Sequence, residues 1–140
     1  MNQHSSPPCF TDFSQYVGIP YVDKGTDPAV GLDCWQLIKH VYADALGVLI
    51  PDYMSFYKSA MSIREASACI ALAIPEWEHV ETKQPGDVLV FRINEAPWHT
   101  GMYLGNGLML HTDEGHGSVV DRIDNIRWRN RFYGAYRWKS

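Results

Sequence analysis

Near Pro85-Gly86-Asp87 the hydrophobic pattern changes period, and this change restricts the fold more tightly than any other feature of the sequence. Before it, Leu37, Ile38, Val41, Tyr42 and Ala45 recur at helical spacing. Asp33 suits the N-cap of that stripe, Gln36 stands three residues on as in a capping box, and Gly47 fits the C-terminal cap. These signals predict a helix over 34–46. Ser62, Glu65 and Pro75 bracket a second predicted helix over 63–73. After the turn the pattern is short and strand-like, with strands predicted over 88–92, 100–104, 108–112, 119–123 and near 133–138. Helices first and an antiparallel meander afterwards make an α+β protein. A chain of 140 residues suits one domain, 1–140, in which residues 1–15 form a loose arm. Gly18, Pro20, Gly25, Pro28 and Gly31 mark residues 16–32 as a long loop that leads straight into the first helix.

Cysteine usage narrows the chemistry. Cys9, Cys34 and Cys69 are odd in number and widely spaced, without a Cys-x-x-Cys pair, so neither a disulfide framework nor a zinc ribbon is indicated. Cys9 falls on the arm and Cys69 inside the second predicted helix, where a structural role suffices. Cys34 stands in the first turn of the first helix, on the face shared with Leu37 and Ile38, and should point inward. A helix N-terminus and a neighbouring histidine are the two conditions that lower a thiol pKa and make it nucleophilic.

Among the histidines, His99 and His111 flank the hairpin turned at Gly105-Asn106-Gly107. A two-residue loop puts them on opposite faces of the ribbon, whereas a three-residue loop pairs Leu104 with Leu108 and Gly101 with His111. In the latter register His99, Gly101, Tyr103, Met109 and His111 share one face, with open space at the glycine. We expect the three-residue loop, with Gly107 left-handed. The resulting constellation is a triad: Cys34 as nucleophile, His99 as base, and His111 holding the His99 imidazole in the useful tautomer. The alternative is structural, with Cys34 a buried core thiol and the histidines satisfied polar residues on a sheet. Residues 111–116 also offer metal-ligand types, but without a third or fourth ligand nearby no metal is implied.

The ordered blocks Gly18-Ile19-Pro20-Tyr21, Gly31-Leu32-Asp33-Cys34, Gln84-Pro85-Gly86-Asp87-Val88, His99 to Gly107 and Met109-Leu110-His111 resemble the NlpC/P60 family of papain-like cell-wall peptidases. The resemblance covers roughly residues 16–123. It implies a papain-like fold, with N-terminal helices packed on an antiparallel sheet or partial barrel. It aligns Cys34 with the family's nucleophile, His99 with its base and His111 with its third polar residue. It matches Tyr21 and Asp33 to positions near the thiol that serve substrate binding. One departure stands out: Trp35-Gln36 follows the cysteine where the family usually continues with Ser-Gly. Tail-associated bacteriophage members look similar in having Trp there, and Trp35 would then shape the substrate pocket.

By that resemblance the expected reaction is hydrolysis of a peptidoglycan stem peptide, at the bond between D-γ-glutamyl and a diamino acid, through an acyl-enzyme and without a cofactor. The same thioester would serve an amidase effector or an acyltransferase, and a vestigial site would leave a structural tail-tip protein. Without a recognisable secretory signal or an apolar membrane span, synthesis in the cytoplasm is expected, with delivery to the cell wall by a phage or prophage tail whose proteins would be partners. Charge adds one consideration. Residues 121–140 hold six Lys/Arg against two Asp/Glu, leaving six against fourteen in the rest. Nucleic acid is not the expected partner of this basic end, because alternating Arg127, Arg129 and Arg131 describe the wet face of a terminal strand. Attraction to an anionic polymer such as the cell wall is a further use.

Overall fold

The computed structural model describes residues 13–22, 25–51, 76–93, 96–113 and 115–139. The second predicted helix, Cys9 and Cys69 lie outside these residues. The chain begins with a 3-10 turn (Ser14–Tyr16) and a two-strand ribbon, β1 (Thr26–Asp27) and β2 (Gly31–Leu32). Helix α1 (Cys34–Val41) continues into a π-helical turn (Tyr42–Leu46), so the predicted helix exists but loosens in its last turn. Its two ends follow the expected capping chemistry. The Asp33 carboxylate accepts from the Gln36 backbone N–H at 2.8 Å, and Gly47 closes the C-terminus with φ +68°.

Six strands form one antiparallel sheet: β3 (Trp77–Val80), β4 (Val88–Ile93), β5 (Ala96–Gly105), β6 (Leu108–Asp113), β7 (Gly117–Arg122) and β8 (Phe132–Trp138). The order across the sheet is β3-β8-β4-β5-β6-β7. The meander therefore runs from β4 to β7, while β8 returns to lie between β4 and β3, a strand the periodicity did not signal. β4 is central and covered on both faces, and for this reason Val88, Leu89, Val90 and Phe91 read as an unbroken apolar run. Val88 and Val90 join α1 residues Leu37, Ile38 and Val41 in one core; Leu89 and Phe91 join Met109, Trp128 and Ala135 in another, on the opposite face.

Two details of the backbone position the site. Ladder register shifts on both sides of β4 at Phe91, which pairs with His99 of β5 and Phe132 of β8, and such bulges bend a strand and re-aim its side chains. At the other end of β5 the turn differs from expectation. Gly105 pairs with Leu108, so the loop is the two residues Asn106 and Gly107, with φ +54° and +75°. A bulge at Leu104 then restores the pairs Met102 with Leu110 and Tyr103 with Met109. The two-residue turn plus one extra residue gives the same facing as a three-residue loop, and His99 and His111 meet.

The loop before α1 is anchored by Ser118 at the start of β7. Its hydroxyl donates to the Tyr16 carbonyl and accepts from the Ile19 N–H, and its backbone N–H donates to the Ile19 carbonyl. Gly117 permits this approach, since it has φ +71° and a β-carbon there would stand 2.7 Å from the Ile19 oxygen. The basic tail departs from the reading above: Arg127, Arg129 and Arg131 lie in the turns before β8, not on a strand, and their alternation comes from Trp128 tucking inward between exposed arginines.

Candidate active site

Cys34 is the first residue of α1 and is buried, with its sulfur facing β5. The Thr100 hydroxyl donates to Sγ at 3.3 Å, so the thiol lies against the residue that follows His99 in the chain. Position at a helix tip led to the expectation of an acidic thiol, and the structure reverses it. Burial pushes the Cys34 thiol up to about 12, the charge of Asp33 adds to this, and hydrogen bonds from Thr100 only partly offset it. The reason is one of scale. A helix terminus contributes about 0.3–1 kcal/mol, whereas full burial moves a pKa by up to about 3–5 units, several kcal/mol. At Cys34 burial therefore outweighs the helix tip.

His99 and His111 are both buried, and His99 Nε2 lies 2.9 Å from His111 Nδ1 with the rings nearly perpendicular. The space at Gly101 between them is not open. A β-carbon there would meet the Met109 sulfur at 2.9 Å and the Leu110 carbonyl at 3.3 Å, so glycine lets β6 carry His111 close to β5. Behind the histidines are two residues that sequence reasoning missed. His111 Nε2 lies 3.1 Å from Asp121 Oδ2, and the Trp128 indole N–H donates to the same oxygen at 3.1 Å. Trp128 also stacks on His99, with ring centres 4.9 Å apart and planes within 10°. Phe91 packs against both rings. Burial raises the Asp121 pKa, but the hydrogen bonds from Trp128 and His111 outweigh it and hold this carboxyl below its ordinary range. Among the described residues no group of three His, Cys, Asp or Glu side chains is arranged to hold a metal.

The three expected binding residues fare differently. Tyr21 is half-buried and forms an isolated parallel bridge with Leu32, which sets it beside the entry to α1. Asp33 is fully buried and caps the helix. Trp35 is a core residue, not a pocket wall: it is 1 % exposed, donates its indole N–H to the Pro51 carbonyl and packs edge-on against Trp77. Trp after Cys34 is accommodated because the second residue of α1 faces the core. Trp35→Phe is thus expected to lower stability by about 1–3 kcal/mol in urea unfolding while leaving KM for any substrate unchanged. A changed KM at unchanged stability would return Trp35 to the pocket.

A family model described as NlpC/P60 family matches residues 18–137. Over 135 residues the chain is 26% identical to a gamma-DL-glutamyl hydrolase of Bacillus subtilis (strain 168), covering 95% of this chain and 29% of that protein. Over 126 residues it is 27% identical to murein DD-endopeptidase MepH of Escherichia coli (strain K12), covering 88% and 42%. The chain therefore spans less than half the length of either relative. The crystal structure of an NlpC/P60 family protein from Bacillus cereus ATCC 10987 superposes with a TM-score of 0.67 at 21% identity, over 96% of this chain and 42% of that one. A likeness at that identity speaks for the fold, which is α+β and papain-like.

Proposed function

The chain belongs to the NlpC/P60 family, and from that premise we propose that it hydrolyses peptidoglycan stem peptides at the bond between D-γ-glutamyl and a diamino acid. The observation that carries this reading is the buried imidazole pair, His99 Nε2 of β5 to His111 Nδ1 of β6 at 2.9 Å, with Thr100, the residue after His99, donating to the Cys34 sulfur at 3.3 Å. In the proposed reaction His99 takes the Cys34 proton as the sulfur attacks the glutamyl carbonyl carbon. The oxyanion forms against the Cys34 backbone N–H in the first turn of α1. The C–N bond then breaks, the amine leaves with the proton from His99, and water, deprotonated by the same imidazole, releases the acid from the thioester. In this reading Tyr21, beside the entry to α1, contacts the substrate, and Asp33 acts from beneath it as the cap of the helix that carries Cys34. The γ-DL-glutamyl hydrolase named among the relatives supports the choice of bond, and the Trp that follows the nucleophile supports a phage or prophage tail setting, in which tail proteins bring the site to the wall.

Incubation of the purified protein with an L-Ala-γ-D-Glu-diamino acid peptide tests the reading by mass spectrometry. The expected products are L-Ala-D-Glu and the free diamino acid. Transfer of the acyl group to an added amine in preference to water would replace hydrolase by acyltransferase. An intact, folded protein that cleaves none of a set of wall peptides would leave a structural tail component.

A further inference from the structure

We propose that Asp121 is a positioning residue, held by Trp128, which fixes the proton of His99 on Nε2 by way of His111 and so leaves Nδ1 as the base. The hydrogen bonds run inward from the carboxylate to His99. An ionised carboxylate only accepts, so His111 Nε2, 3.1 Å away, carries its proton toward Asp121. A neutral imidazole protonated on Nε2 has its lone pair on Nδ1. That lone pair lies 2.9 Å from His99 Nε2, which must then be the N–H donor. The remaining nitrogen of His99, Nδ1, then carries the lone pair of the ring. Three groups in series thus select one of the two tautomers available to His99.

The second half of the device is mechanical. Trp128 donates its indole N–H to the Asp121 oxygen that faces His111, and its ring lies flat on His99. It therefore fixes both ends of the series, and it is itself buried, with the Arg127 guanidinium 4.5 Å from its ring centre. Asp121 stands across the ladder from Met109, and His111 across from Val119, so the carboxylate reaches its histidine diagonally along β6 and β7. Among the described residues, the Arg127 guanidinium is a second charged group placed against this cluster. The hydrogen bonds that hold the Asp121 carboxyl below its ordinary range also keep it ionised at neutral pH.

The kinetic consequence rests on the hydrolase reading, but the tautomer does not, and the two are measured separately. Nitrogen NMR of the imidazole rings in the full chain is expected to show His99 protonated on Nε2 and His111 protonated on Nε2. In Asp121→Asn the amide can either donate or accept, so the His99 signals are expected to move toward a mixture of tautomers. The accompanying kcat is expected to fall by about 10–100-fold with KM little changed, as for other partners behind a functional histidine. Asp121→Glu should recover part of both, and Trp128→Phe, which keeps the ring but loses the N–H, should give a smaller shift in the same direction. Unchanged His99 signals in folded Asp121→Asn would overturn the proposal, whatever happens to kcat. If the wild type cleaves no wall peptide while its His99 signals still respond to Asp121→Asn, the positioning role stands and the hydrolase reading falls.

Discussion

Cys34→Ala is expected to remove wall-peptide hydrolysis, with kcat falling by about 10⁴-fold or more, the scale seen when a covalent nucleophile is deleted. The expectation follows from the proposed chemistry: without sulfur there is no acyl-enzyme, and none of the other groups beside the thiol replaces it. Thr100 faces the sulfur, but its hydroxyl acts there as a donor. Cys34→Ser sharpens the test, because the serine oxygen keeps the shape and the Thr100 contact while having a far higher pKa than a thiol. Both variants should fold, since the change is a single buried atom. Mass spectrometry of a quenched reaction should show an acyl adduct on Cys34 in the wild type and in neither variant. An active alanine variant would remove Cys34 from the mechanism.

His99→Gln is the second large effect, an expected fall in kcat of about 10²–10⁴-fold, the range supplied by a positioned general base. The dependence on His99 is steep because the resting thiol is not acidic. With burial and Asp33 pushing Cys34 up to about 12, very little thiolate exists at neutral pH unless a base receives the proton. Glutamine can keep a hydrogen bond toward His111 but accepts no proton. KM should change little, and the acyl adduct should accumulate slowly instead of disappearing from the route. His99→Gln with wild-type kcat would leave the imidazole pair as a structural feature of the sheet.

The contrast between what was legible in the sequence and what was not follows the range of the interactions involved. Capping is local, so Asp33, Cys34 and Gln36 announced the start of α1, and the hydroxyl-to-sulfur contact found there is with a strand recognisable from its own pattern. The β4 to β7 meander was legible because each strand is bounded by its own turn residues. The bulge at Leu104 was not, because a turn residue cannot report an extra residue placed before it; only the outcome, two histidines on one face, could be read. The return of β8 between β3 and β4 depends on pairing across more than fifty residues, from Trp77 to Trp138, and leaves no local signal. Asp121 and Trp128 were hidden for a related reason. In the sequence they belong to an arginine-rich, aromatic end, and only the fold turns Trp128 inward onto His99. The direction of the thiol shift was misread because helix position is written in the sequence and depth of burial is not.

The claim on which the rest depends is that His99 receives the Cys34 proton, and alkylation kinetics test it most directly. In a background with Cys9→Ser and Cys69→Ser, the rate at which iodoacetamide modifies Cys34 should be followed against pH for the wild-type site and for His99→Gln. With the imidazole acting on the thiol, the wild-type profile should rise at lower pH than that of His99→Gln, in which burial and Asp33 push the thiol up with no imidazole to receive its proton. Superimposable profiles from the two proteins would contradict it, because the thiol would then titrate without regard to the imidazole.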